Sequence, residues 1–145
     1  MTGFELLFVD TAPFIYALES EGQFSDIANE FFECCAEAGT SLFTSVITVE
    51  EYLVGPYRDN NVQLVNNFWT LLSETETTVV NIDRRIADNA AKMRAKYRGF
   101  KGMDSLQIAA AMRCGCDFFV TNDKQLRQTE EIRCITLEEF VKQFL

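Results

Sequence analysis

Apolar positions in this chain recur with two periods, and the switching between them predicts the elements. The stretch Phe4-Glu5-Leu6-Leu7-Phe8-Val9-Asp10-Thr11 turns continuously apolar at Leu6 and stops at a carboxylate. A run so short and unbroken is the pattern of a strand covered on both faces in a parallel sheet. Residues 42–44, the β-branched run 77–80, residues 117–121 and residues 132–135 predict four more strands, the last of them the weakest. Helical spacing fills the intervals. Short helices are expected over 13–18 and 137–144, and an amphipathic one over 25–38 that ends at Gly39. Ser45 opens a helix that Gly55-Pro56 should stop, and 61–72 carries Val62, Val65, Phe68, Trp69 and Leu72 inward. Asp83 caps a helix reaching Tyr97, and 104–113 is Ala-rich and apolar nearly all round, as suits a helix buried between layers. Strands separated by helices at this spacing predict an α/β fold: three layers, with a central parallel sheet of four to five strands flanked by helices.

Length and composition leave that picture as one domain over residues 1–145. A chain of this size buries roughly two-thirds of the surface its unfolded form exposes. Apolar content of 48%, with 13 Phe and only 2 Pro, fits a packed core and argues against disorder. No internal repeat is visible, no apolar run approaches a membrane span, and the N-terminus lacks a signal-peptide pattern, so a cytoplasmic protein is expected. Cys34, Cys35, Cys114, Cys116 and Cys134 make an odd set without CxxC spacing, which reads as buried thiols in a reducing compartment.

The absence of histidine is the sharpest restriction. It excludes Ser-His-Asp and Cys-His relays, His-ligated zinc and His general bases. Chemistry must therefore use carboxylates, hydroxyls, amines or thiols. A formal net charge of −9 argues against nucleic-acid binding through the global field. The charge is unevenly spread, however: residues 84–101 hold Arg84, Arg85, Lys92, Arg94, Lys96, Arg98 and Lys101 against Asp88 alone. Arg85, Lys92 and Lys96 fall together on one flank of their helix, where they could hold the backbone phosphates of a nucleic acid or simply form a solvated face.

Carboxylates stand beside apolar elements at four places. Asp10 ends the first strand, Glu50 and Glu51 lie within the helix after the second, Asp104 opens the Ala-rich helix, and Asp123 follows the fourth strand. In parallel sheets ligands collect at the carboxyl ends of strands, so these acids could meet at one edge. Each also has an ordinary reading, since Asp10 and Asp104 suit helix caps and Asn122-Asp123 is common turn chemistry. A self-repelling cluster either raises its pKa values or recruits a cation, and an oxygen-only site suits Mg²⁺ or Mn²⁺.

Four blocks in order, Leu7-Phe8-Val9-Asp10-Thr11, Ser45-Val46-Ile47-Thr48-Val49-Glu50-Glu51-Tyr52-Leu53-Val54-Gly55, Asp104-Ser105-Leu106-Gln107-Ile108-Ala109-Ala110 and Phe119-Val120-Thr121-Asn122-Asp123, resemble those of PIN-domain ribonucleases. The likeness is greatest to the VapC-type toxins of toxin–antitoxin pairs and spans nearly the whole chain. The resemblance implies an acidic Mg²⁺ or Mn²⁺ site, metal-dependent RNA cleavage, homodimerisation and a cognate antitoxin protein. Carried across position by position, it makes Asp10, Glu51, Asp104 and Asp123 the catalytic and metal-binding acids. Helical periodicity does not separate Glu50 from Glu51; the Thr48-x-x-Glu51-x-x-x-Gly55 spacing favours Glu51. Thr11 and Thr121 match hydroxyl positions lining such sites, and Asn122 could orient a ligand or water. Leu126 departs from the pattern, in which an aromatic residue often follows the last acid.

Two other classes compete. A carboxylate-nucleophile phosphatase would want a second Asp two positions after Asp10, where Ala12 stands. A PIN-fold binding module without catalysis would not need all four acids. A PIN-domain RNA-processing nuclease outside any toxin pair would keep them. Tyr57, Trp69 and Phe100 are candidates for base stacking, although burial is the commoner use of such residues.

Overall fold

A computed structural model describes residues 6–145. The chain runs β1 (Leu6–Val9), α1 (Thr11–Glu19), α2 (Gln23–Ala38), β2 (Ser41–Ser45), α3 (Val46–Arg58), α4 (Val62–Glu74), β3 (Thr78–Val80) and α5 (Arg84–Lys96). It continues with α6 (Gly102–Arg113), β4 (Phe118–Val120), a 3-10 turn (Lys124–Gln128), β5 (Arg133–Ile135) and α7 (Leu137–Phe144). Phe4 and Glu5, which the sequence places at the first strand, lie outside the described residues.

The five strands form one sheet in the order β3-β2-β1-β4-β5, and every neighbouring pair is parallel. The α/β/α architecture expected from the alternation is present, including the weakly signalled fifth strand. Because the chain moves outward from β1 to β2 and β3, then returns to the other side of β1 with β4, the switch point lies between β1 and β4. In open parallel sheets that is where the carboxyl ends of strands frame a crevice.

Period-2 geometry divides the strand residues between two cores. Leu7, Val9, Phe118 and Val120 pack with Phe14, Phe31, Tyr52, Phe68 and Phe140 on the face covered by α1, α2, α3, α4 and α7. Phe8 and Phe119 point the other way, stacked on each other at 5.3 Å, and join Ile86, Met93 and Ile108 beneath α5 and α6. Both faces being covered explains why β1 reads as an unbroken apolar run. Gly39 closes α2 in the left-handed region at φ 70°, donating its N–H to Ala36 and Cys35 carbonyls, a conformation that disfavours any side chain.

Three details differ from the sequence expectation. The helix begun at Ser45 does not stop at Gly55-Pro56 but continues to Arg58 with Pro56 inside it. Proline removes one intrahelical donor, yet Tyr52, Leu53 and Pro56 are buried, and Asp59 and Asn61 N–H groups still reach the Gly55 and Pro56 carbonyls at 3.0 and 2.8 Å. In α4, Phe68 and Leu72 face inward, but Val62 and Trp69 are 69% and 45% exposed. The buried stripe is narrower than the apolar one. Finally, α1 begins at Thr11, with Pro13 in the first turn, where an amide donor has no intrahelical partner to lose.

Candidate functional site

The β1–β4 ladder sets the site. Val9 pairs with Val120, and the Asp10 N–H still bonds the Val120 carbonyl at 2.9 Å, so Asp10 leaves the sheet beside Thr121. The Thr121 hydroxyl donates to Asp10 Oδ2 at 2.8 Å and accepts the Asp123 N–H at 3.1 Å. Thr11 N–H donates to Asp10 Oδ1 at 2.8 Å, so Asp10 caps α1 as well as facing the crevice. The capping reading of Asp10 is thus observed, and it leaves the carboxyl beside Thr121 at the crevice.

Glu51 reaches the same place from α3: the Thr11 hydroxyl donates to its Oε1 at 2.7 Å and lies 3.3 Å from the Thr48 hydroxyl. That bond turns Glu51, and not its neighbour Glu50, toward Asp10. Asp104 does not cap α6, whose N-cap is Lys101, but sits in its first turn, where the helix dipole favours an anion. Asp123 caps the 3-10 turn, accepting the Gln125 N–H at 2.9 Å. Asn122 donates to the Tyr16 hydroxyl at 2.9 Å.

Electrostatics tie the four acids into one field. Burial pushes the Asp10 carboxyl up to about 6; bonds from Thr11 and Thr121 oppose this, while Asp104 and Glu51 add to it. Asp104 is likewise raised, first by burial and then by Asp123, with Glu51 adding and Lys101 opposing. Asp10 and Asp104 are thus each penalised for their charge by other members of the set. Among the described residues, however, no three Asp, Glu or Cys side chains stand close enough to form a ready-made ligand set for a metal. The donors fit a hard divalent cation in kind, all being carboxylate oxygens, and the half-buried Asp10, which pairs with no cationic side chain among the described residues, is the group a cation would relieve most. They would have to draw together around it.

Beneath the acids lies a buried polar chain whose role sequence reasoning does not assign. Gln107, only 2% exposed, sits among the alanines of α6. Its Oε1 accepts from the Ser45 hydroxyl at 2.5 Å, and its Nε2 lies 2.7 Å from Thr48 Oγ1 and 3.4 Å from Asp10 Oδ1. A long amide inside an otherwise apolar helix is the available signal. Its partners lie 62, 59 and 97 positions away in sequence, beyond the reach of spacing arguments. The Thr44 hydroxyl completes this layer by donating to the Val9 carbonyl at 2.8 Å, just ahead of Asp10.

The remaining candidates lie elsewhere. Lys92 pairs with Asp88 at 3.4 Å, and Lys96 with Glu131 at 3.5 Å and Glu130 at 3.7 Å, whereas Arg85 forms no ion pair among the described residues. Phe100 is buried at 6% exposure and stacks on Tyr97, so it offers no face to a base; Tyr57 and Trp69 are exposed. Asp117, an acid beside the fourth strand that sequence reasoning does not place in the site, stands at the amino end of β4, its N–H bonding the Leu6 carbonyl, at the opposite end from Asp10. The five cysteines are free, and burial pushes the Cys35, Cys116 and Cys134 thiols up to about 12, which leaves them poor nucleophiles. Among the described residues no helix is long and apolar enough to cross a membrane.

Comparison with known proteins agrees with this geometry. No curated protein sequence matches the chain significantly. Solved structures do match in fold. VapBC2 from Rickettsia felis, bound to a promoter DNA fragment, is 14% identical with a TM-score of 0.73, over 90% of this chain and 98% of that one. A toxin–antitoxin complex from Klebsiella pneumoniae is 20% identical with a TM-score of 0.71, over 90% and 97% of the two chains. VapC20 of Mycobacterium tuberculosis, a toxin that cleaves the sarcin–ricin loop, is 14% identical with a TM-score of 0.67, over 88% and 98%. The sequence pattern of the PIN domain matches residues 7–132, which contain Asp10, Glu51, Asp104 and Asp123. With the acids at the switch point of a parallel sheet in this strand order, and that match spanning most of its length, the chain belongs to the PIN domain family.

Proposed function

We propose that this PIN domain is a metal-dependent ribonuclease that hydrolyses RNA phosphodiester bonds, acting as the toxin of a toxin–antitoxin pair. The observation that carries the reading is Asp10: a carboxyl raised to about 6 by burial, clamped by Thr11 and Thr121, and facing Glu51 and Asp104 with no basic group bonded to it among the described residues. A chain that only needed a cap there would not set a half-buried acid, without a cationic partner, among others. Asp10, Asp104 and Asp123, with Glu51, would hold Mg²⁺ or Mn²⁺, which when bound supplies an activated water and neutralises charge on the transferring phosphoryl group. The chain's own part is orientation. Gln107 and Thr121 fix the rotamer of Asp10, Thr11 fixes Glu51, and the Thr121 hydroxyl positions the backbone leading to Asp123.

The toxin assignment draws on the structural neighbours, several of which are VapBC or FitAB complexes. An antitoxin and a homodimer are the partners this implies. The exposed apolar residues Val54, Tyr57, Val62 and Trp69 on α3 and α4 supply surface for either. The deciding assay is RNA cleavage with Mn²⁺ by the pure protein, beside Asp10→Asn and Asp104→Asn. Activity in the parent and a loss of about 100-fold or more in each variant is the expected result. A parent that binds Mn²⁺ but leaves every RNA intact would make the domain a binding module instead.

A further inference from the structure

A cavity of about 510 Å³ opens between α1, the start of α2, the 3-10 turn and α7. That volume is in the range of ordinary small-molecule pockets. Resting on the ribonuclease reading, we propose that it is a subsite for one unstacked base of a single-stranded RNA, next to the phosphate held at the acids.

Four observations converge on this occupant. The first is continuity: Asn122 lines the cavity and stands between Thr121, which bonds Asp10, and Asp123. The cavity therefore adjoins the backbone segment that carries Thr121 and Asp123. The second is a ready stacking platform. Tyr16 and Phe24 stack at 5.2 Å with an interplanar angle of 27°, and Phe24 remains 58% exposed, an unusual disposition for a phenyl ring. Every base has a π-face that such a ring accepts.

The third is edge recognition. Gln23 is among the residues of the wall, and Asn122 fixes the Tyr16 hydroxyl at 2.9 Å, which locks the platform and leaves the amide oxygen of Asn122 as an acceptor. The fourth is charge. Glu138 pairs with Lys142, and Glu139 is engaged by Arg127 and by Thr136. Lys124 on the same wall forms no ion pair among the described residues, so the rim's uncommitted charge is positive. An anionic polymer carrying aromatic bases satisfies all four; an apolar peptide segment would leave Lys124 and the two amides unanswered.

The test measures binding of a labelled short oligouridylate, and of an abasic ribose-phosphate chain of equal length, to the full chain with Ca²⁺ in place of Mn²⁺, a hard oxygen-seeking ion that keeps the acids charge-balanced, each strand being checked intact on a gel afterwards. Phe24→Ala should weaken the oligouridylate by about tenfold, which lies within the range of one base–aromatic stack. It should leave the abasic chain unchanged. Phe24→Tyr should retain the parent affinity, and the thermal midpoint of each variant checks folding. Equal affinity of Phe24→Ala and parent for the oligouridylate, or equal weakening for both probes, overturns the subsite while Mn²⁺-dependent cleavage by the parent leaves the nuclease intact. A parent that neither binds nor cuts RNA overturns both.

Discussion

Thr121 donates its hydroxyl to Asp10 across the β1–β4 seam, Oγ1 to Oδ2 at 2.8 Å. The two residues are 111 positions apart, yet the parallel register makes them neighbours one step past the Val9–Val120 pair. This bond favours the charged form of Asp10 against the burial that opposes it. Thr121→Val, which keeps the shape and removes the donor, should push the Asp10 carboxyl higher still. The acidic limb of the metal-dependent cleavage profile should move to higher pH, and stability should fall by about 1 kcal/mol. An unmoved acidic limb would show that Asp10 ionisation does not govern the rate.

Asp10 itself should trade stability for charge. Its folded-state carboxyl, at about 6, lies above the ordinary value of 3.8. Between those values the folded state holds more protons than the unfolded one. Stability contributed by the protonated acid is therefore complete below about pH 4 and lost as pH rises through about 6. Asp10→Asn in EDTA should be more stable than the parent at pH 8, by on the order of 2 kcal/mol, with the difference gone at pH 4. Thermal midpoints across that window provide the check, and a parent equally stable at both ends relative to the variant contradicts the half-buried acid without a cationic partner.

Divalent cation should reverse that ranking. A ligand that binds only the folded state stabilises it by mass action, by about 2.7 kcal/mol at a hundredfold excess over Kd. Mn²⁺ should therefore raise the midpoint of the parent by several degrees and that of Asp10→Asn or Asp104→Asn far less. Equal shifts in all three would place the cation elsewhere on this acidic surface.

Much of the scaffold behind these predictions is legible in the sequence. The unbroken run into Asp10 reports a strand covered on both faces, and Phe8 and Phe119 stacked on the α5–α6 side show why no polar alternation appears. What spacing does not reach is long-range polar partnership. Gln107 reads locally as one polar residue in an Ala-rich helix, and only the fold brings Ser45, Thr48 and Asp10 around it. Gly55-Pro56 misleads for a related reason: the local penalty of proline is real, but the burial of Tyr52, Leu53 and Pro56 in the helix packing outweighs it. Periodicity alone turns Trp69 inward, whereas the buried stripe of α4 is already filled by Phe68 and Leu72.

Gln107→Leu tests that hidden layer. The substitution roughly preserves volume but leaves the Ser45 and Thr48 hydroxyls without their amide partner in a buried setting. Ser45 Oγ keeps the Ile47 N–H and Thr48 Oγ1 keeps the Thr11 hydroxyl, so each loses one bond without being orphaned, and a loss of roughly 1–3 kcal/mol is expected by denaturant unfolding. Gln107→Glu should recover part of the stability through Ser45 while placing a further charge beside Asp10, so cleavage should stay impaired. Full cleavage in the Glu variant would remove Gln107 from the support of Asp10.

The basic flank of α5 separates two uses of surface charge. Lys92 is already engaged by Asp88 in an exposed i,i+4 pair, whereas Arg85 is uncommitted among the described residues. Such a pair contributes only a few tenths of a kcal/mol, so neither residue should matter for folding. If RNA phosphates lie along this helix, Arg85→Ala with Lys92→Ala should lower the slope of log affinity against log salt, by about 0.7 for each single-strand phosphate no longer neutralised. The midpoint should hardly move. Lys96, tied to Glu130 and Glu131 beyond the end of the helix, should contribute less to the slope than Arg85 when replaced alone. A slope identical to the parent's in the double variant would make the flank a solvated helix face and leave phosphate binding to groups nearer the acids, with Lys101, whose charge already bears on Asp104, the first to replace.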